Sequence, residues 1–201
     1  MQRTRRRLVI DTILLVLTSV ILYMYVALNV PQSINHIVKI GIDDLIPRLP
    51  VFVIPYLAFL PWLYGTLIFA WYKNRHFHQL AYSFIIINLI AFFVYLTFQT
   101  VVPREIINSN DIFSNILQFV YNNDLPYAGF PSLHSALSVS IATYFVIRKS
   151  KYSWATVSMA ILIVISTLFT KQHFVLDAIS GMSLGILVTW AVFRYMPSKT
   201  T

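Results

Sequence analysis

The chain contains no cysteine, and only 11% of its 201 residues are charged. Without cysteine there is no disulfide framework, no thiolate metal site and no cysteine nucleophile. Ordinary soluble domains carry charge on about a quarter of their residues. The scarcity of charge here, with 58% hydrophobic residues and a mean hydropathy of +0.71, excludes such a domain. Acids are the scarcest charges, seven against fifteen Lys and Arg, giving a formal net charge of +8. A surplus of that size can mark a nucleic-acid binder, but Arg3, Arg5, Arg6 and Arg7 stand directly before an apolar run and the other positives fall between such runs. This pattern reads as membrane topology, with membrane lipids and not nucleic acid as the surroundings.

Apolar runs long enough to cross roughly 30 Å of hydrocarbon occur six times, over residues 8–30, 51–72, 80–102, 132–147, 154–169 and 174–195. The first is too long for a signal-peptide core and is read as a retained span. The expected fold is therefore all-α, a single membrane-embedded domain of six transmembrane helices. Six spans put both termini on one side. Eleven Lys and Arg fall on that side against four (Lys39, Arg48, Arg104, Lys171) on the other, so the termini are expected to be cytoplasmic and the protein multi-pass in the cell membrane. Asp43, Asp44, Glu105, Asp111, Asp124 and Asp177 then collect at or near the outer face.

The fourth run carries Ser132, Ser135, Ser138 and Ser140 and is expected inside the bundle, where small and hydroxyl residues permit close helix approach. Gly181 and Gly185 in the sixth offer the same packing within the chain. Two outer segments show helical spacing, Ile34, Ile37, Val38, Gly41 and Leu45 in one, and Ile112, Ile116, Leu117 and Val120 in the other. Each is expected to be a short helix in the interface.

Ionisable groups near spans are the natural place to seek chemistry. His76 and His78 fall in a cytoplasmic loop and read as a solvated turn, and His36 as an interfacial residue. His134 and His173 each stand at the outer end of a span. Asp177 lies four residues after His173, on the same helical face, where a carboxylate can hold the imidazole Nδ1–H and raise nucleophilicity at Nε2. Such a pair is also common as a plain structural contact, but a carboxylate about one turn inside a membrane helix is costly without a purpose. The line Phe130-Pro131-Ser132-Leu133-His134-Ser135 opens a helix, with Ser132 as N-cap, and a helix start also suits a phosphate.

These residues resemble the type 2 phosphatidate phosphatase and vanadium haloperoxidase superfamily. Its middle motif, Pro-Ser-Gly-His, is matched by Pro131-Ser132-Leu133-His134 with Leu133 in place of Gly. Its last motif, Ser-Arg, five residues, His, three residues, Asp, is matched by Ser166, His173 and Asp177, with Thr167 at the arginine. Its first motif, Lys, six residues, Arg-Pro, is met only by Arg104, because Thr97 and Glu105 occupy the lysine and proline positions. The resemblance is strongest to the membrane branch of bacterial lipid phosphatases and inositol phosphorylceramide synthases, in which the basic motifs are eroded.

The resemblance implies phosphoryl transfer through a phosphohistidine at the extracytoplasmic face. His173 attacks phosphorus, Asp177 stabilises the imidazolium, and His134 protonates the leaving oxygen and then activates the acceptor. Phosphoryl oxygens fall to N–H groups near Ser132 and to Arg104 and Lys171, although either cation can equally serve as a snorkelling interface residue. No metal cluster is visible in the pattern, so metal-independent catalysis without a cofactor is expected. The leading function is hydrolysis of a lipid phosphate or lipid diphosphate. Alternatives are a phosphotransferase that passes a phospho-headgroup to an acceptor lipid or polyol, and a catalytically idle scaffold or transporter.

Overall fold

The computed structural model describes residues 4–33, 35–73 and 76–196. The described residues are all-α, and their only β pairing is the isolated bridges of His36 with Thr100 and of Thr100 with Ala128. In chain order the elements are α1 (Arg5–Tyr23), the single turn α2 (Tyr25–Leu28), 3-10 turns at Gly41–Asp44 and Pro50–Phe52, α3 (Val53–Lys73), α4 (Phe77–Thr97), α5 (Ile112–Asn123), α6 (Leu133–Ile147), α7 (Ser153–Phe169) and α8 (Val175–Tyr195). Four stretches, Arg5–Leu28, Pro50–Lys73, Phe77–Thr97 and Val175–Tyr195, are long and apolar enough to cross a membrane, while Leu133–Ile147 and Ser153–Phe169 are shorter apolar helices.

Helix α6 lies inside the bundle, packed against α4, α7 and α8. Its serines explain how it can. Ser135, Ser138 and Ser140 are all fully buried, and Ser140 Oγ lies 2.7 Å from Thr189 Oγ1 of α8. The Gly181 and Gly185 pair supplies the other half of the fit. A Cβ on Gly181 would stand 2.3 Å from the carbonyl oxygen of Ser132, and one on Gly185 2.3 Å from that of Ala136. The glycine pair therefore packs α8 on α6 within the chain, since only a residue without a Cβ lets the two backbones approach this closely. The outward faces of the long helices stay apolar, with Val9, Ile13, Val16, Leu60, Phe93 and Leu187 all exposed.

Three expectations change. The third apolar run ends as a helix at Thr97, not at 102. Residues 98–102 are extended instead, with Val101 N–H donating to His36 O (2.8 Å) and Val102 N–H to Pro126 O (3.0 Å). The β-branched Thr100, Val101 and Val102 before Pro103 disfavour a helix there. The segment beginning near residue 34 is not an α-helix. Ile34 lies outside the described residues, 35–40 are irregular, and Gly41–Asp44 is a 3-10 turn whose Asp43 carboxylate accepts from Ile40 N–H (2.8 Å) and from Val175 N–H (2.8 Å). The local side-chain cap and the tie to α8 outcompete helical periodicity. Finally, His78 is no solvated loop residue. It belongs to α4, and its Nε2 meets the fully buried Asp11 of α1, so the seventh acid of the chain is paired inside the bundle rather than left facing lipid. The segment 112–123, by contrast, is a helix, with Asp111 as N-cap accepting from Phe113 N–H and Ser114 N–H. Asp111 is held well below the usual carboxylate range, chiefly by the Ser109 hydroxyl and then by Ser114.

The glycine contacts predict that Gly181→Ala or Gly185→Ala lowers stability by about 1–3 kcal/mol, the cost of overpacking. Gly65→Ala, where a Cβ meets nothing within 4 Å, is neutral or stabilising. Thermal unfolding of the three variants in detergent checks this.

Candidate active site

The close fit of α6 on α8 brings two helix starts side by side. Ser132 caps α6 through its hydroxyl, which accepts from Ser135 N–H at 3.3 Å. Asp177 caps α8 through Oδ2, which accepts from Phe174 N–H at 2.8 Å. The two caps are joined directly, because Ser132 N–H donates to the Asp177 carbonyl at 3.0 Å. One turn of backbone therefore fixes where His134 and His173 sit relative to each other. Their ring centroids are 5.7 Å apart in an edge-on arrangement.

His173 Nδ1 stands 3.6 Å from Asp177 Oδ2. That is an ion-pair distance and too long for a hydrogen bond, and both His173 Nδ1 and Asp177 Oδ1 are buried without a hydrogen-bond partner. The two side chains face each other across this gap without a direct hydrogen bond. His134 is held by aromatic rings. Tyr56 stacks on it at 4.6 Å and 29°, and Phe59 lies at 4.5 Å and 48°.

The sequence candidates for phosphate binding divide. Ser132 is fully buried, with its hydroxyl and N–H engaged as described. Lys171, in a left-handed conformation (φ 52°), donates through Nζ to the carbonyls of Asp43 (3.0 Å) and Ile46 (2.6 Å) and lies 3.9 Å from Glu105. It is engaged by the 43–46 turn. Arg104 spans two site loops, donating from Nη1 to Lys171 O and from Nη2 to Asp124 O, both at 3.1 Å. Its guanidinium lies over the Tyr121 ring at 4.9 Å, and its buried Nε has no partner. Burial pushes the Tyr121 phenol up to about 12, with Arg104 pulling the other way; the neutral hydroxyl donates to Thr170 O at 2.7 Å. Arg48 pairs with Glu105 at 3.2 Å. Thr167 and Ser166 are fully buried and bond carbonyls of their own helix.

A cavity of about 500 Å³ opens between α1, α3 and α5 and reaches the two histidines. Its walls are mostly apolar, Leu22, Leu57, Leu60 and Phe119 among them, and His134, His173 and Asp124 also line it. Asp124 and Tyr56 were not among the sequence candidates. Their link spans 68 positions, so no local spacing announces it.

Buried His173 and Asp177 and half-buried His134 thus come together within an apolar helical bundle, beside a largely apolar cavity. The chain matches the family model of the PAP2 superfamily over residues 100–201, and it belongs to that superfamily. Every residue of the constellation lies in the matched half. Members of the superfamily are phosphatases or related phosphotransferases, so the chemistry belongs to a phosphate ester. No curated protein and no solved structure matches the chain.

The Lys171 contacts predict that Lys171→Met lowers stability by about 1–3 kcal/mol, as loss of hydrogen bonds from a charged group to buried carbonyls does. Denaturation of the purified variant beside the parent protein measures it.

Proposed function

We propose that the protein is a metal-independent lipid phosphate or lipid diphosphate phosphatase, a bundle of six membrane spans with its site at the outer face of the cell membrane. The observation that carries the reading is that His134 and His173 meet each other and both line the largely apolar cavity. A phosphate head at the histidines leaves a hydrocarbon tail to occupy that cavity, which is the arrangement an amphipathic substrate needs. The eleven-to-four distribution of positive residues supports cytoplasmic termini and hence a site on the opposite face.

His173 attacks phosphorus in line, forming an N–P bond as the P–O bond to the leaving group breaks. Asp177, already within 3.6 Å of Nδ1, stabilises the positive imidazole and fixes its tautomer. His134 gives a proton to the leaving oxygen, then takes one from the water that opens the phosphohistidine. Arg104, with a buried N–H lacking a partner, is the best placed cation for a phosphoryl oxygen. Ser132 and Lys171 act on the frame that holds the histidines, the one by capping α6 and the other by fixing the loop before His173.

A second reading keeps these residues and replaces water by an acceptor lipid or polyol. The family's arginine position favours it, since Thr167 is buried and turned onto its own helix and the phosphate grip is correspondingly altered.

Phosphate release from a panel of lipid phosphates in EDTA is expected for the purified protein and absent for His173→Asn. Activity equal in the two proteins overturns the reading, and a labelled headgroup recovered on an added acceptor instead of as free phosphate selects the second. Asp177→Asn is expected to lower turnover by about 10²–10⁴-fold, as wrong-tautomer changes do in comparable triads, while the protein stays folded. Single-turnover trapping of the phosphoenzyme measures that step directly.

A further inference from the structure

Asp124 ends α5 and lines the largely apolar cavity beside the histidines. A carboxylate there is costly unless its lone pairs are filled, and three donors fill them. Oδ1 accepts from the Tyr25 hydroxyl and from Asn29 Nδ2, both at 2.9 Å, and Oδ2 accepts from the Tyr56 hydroxyl at 2.6 Å. The shortest of these bonds goes to the side chain that matters most for the site, because the Tyr56 ring is the one stacked on His134. Phe59, three residues further along α3, covers the same imidazole.

Stitching α2 to α5 does not require an ion. A neutral amide would still accept from Asn29 and Tyr25 through its one oxygen, but it would turn an NH2 instead of an acceptor toward the Tyr56 hydroxyl. What the carboxylate adds is a fixed, strong acceptor for the Tyr56 hydroxyl and a negative charge near an imidazole that must carry a proton. The charged or titratable groups around His134 are His173 of α8, Arg104 of the 98–111 loop, and Asp124 itself, with Tyr56 of α3 in ring contact.

We propose that Asp124, acting through Tyr56, is a positioning residue that holds His134 in place to deliver its proton to the leaving oxygen. The proposal rests on the phosphatase reading. In the step concerned, the His173 nitrogen bonds to phosphorus, the P–O bond to the leaving alcohol breaks, and that oxygen takes the proton of His134. The need for the proton depends on the leaving group: an alkoxide cannot leave without it, while nitrophenolate can.

The test compares kcat/KM for a lipid phosphate with kcat/KM for p-nitrophenyl phosphate, in detergent, for the full chain and its Asp124→Asn and Tyr56→Phe variants. This parameter reports only as far as leaving-group release, so the later hydrolysis of the phosphohistidine does not blur it. Both variants are expected to lose about 10–100-fold on the lipid ester, part of what a general acid contributes, and at least fivefold less than that on the aryl ester. The double variant is expected to be no worse than Asp124→Asn alone. Tyr56→Phe keeps the stacked ring and serves as the milder lesion should Asp124→Asn fail to fold. Equal losses on both esters, or full activity of Tyr56→Phe on the lipid ester, overturn the proposal while leaving the phosphatase reading intact. A parent protein that releases phosphate from neither ester overturns the reading and the proposal together.

Discussion

The packing of α8 against the backbone of α6 is the constraint on which the rest of the molecule depends. Gly181 and Gly185 sit where any Cβ would strike the carbonyls of Ser132 and Ala136, and the Ser132 N–H to Asp177 carbonyl bond closes the contact at its end. The contact is made of main chain, so it has little freedom to shift. His134, one position into the first turn of α6, and His173, just before α8, inherit their separation from it. Gly129 extends the same logic to the preceding loop, since a Cβ there would meet Thr100 Oγ1 at 2.8 Å, and that hydroxyl accepts from Phe130 N–H at 2.7 Å. The loop entering α6 is thereby pinned against the extended strand-like segment after α4.

A low-charge chain in an apolar setting must account for each acid it buries. Asp43 caps a turn and reaches α8. Asp11 meets His78 across α1 and α4. The half-buried Asp124 is filled by two tyrosines and an asparagine. Asp177 differs from these three. One of its oxygens caps α8 while the other has no partner, and the imidazole nearest to it is 3.6 Å away with its own nitrogen unsatisfied. Structural ion pairs close these gaps because an unsatisfied buried group costs about 1–3 kcal/mol. Here His173 Nδ1 and Asp177 Oδ1 both stay without a partner, and under the proposed chemistry a phosphoryl group on His173 gives the imidazole a positive charge for the carboxylate to meet.

Much of this arrangement was legible in the sequence, and what was not has a common cause. The His173 and Asp177 pair is readable because four residues on a helix bring side chains onto one face. The meeting of His134 and His173 is readable because counting apolar runs puts both at the same end of the bundle. The interior position of α6 follows from its serines, and the α6–α8 fit from the glycine pair. The features that escape are contacts between distant positions and backbone choices made by them. Tyr25, Asn29 and Tyr56 converge on Asp124 from 68 to 99 positions away, and His78 reaches Asp11 from 67. The segment near 34–45 has the spacing of a helix but follows Asp43 and its tie to Val175, and residues 98–102 pair with His36 and Pro126. In each case a tertiary hydrogen bond outweighs a local periodicity.

The eroded basic motifs can be understood in the same terms. Where the family places a lysine, Thr97 bonds Phe93 O of its own helix, and where it places an arginine, Thr167 bonds Val164 O in a fully buried turn. Neither position retains a side chain that reaches for an anion. Three other cations expected at this end of the bundle are tied to carbonyls or acids: Lys171 by the 43–46 turn, Arg48 by Glu105 and Ile106, and Lys39 by Asp44. Arg104 alone among these has a buried N–H without a partner. Under the proposed chemistry the phosphate charge is then balanced by one guanidinium and two imidazoles, one of them protonated, with less fixed positive charge than the full motif set would provide. A grip of that kind relies on the hydrocarbon tail for affinity, which is consistent with an apolar cavity of about 500 Å³ leading directly to the histidines. Binding energy from the tail can be spent on holding the head where His173 and His134 act, so the loss of two basic residues need not cost the site its function.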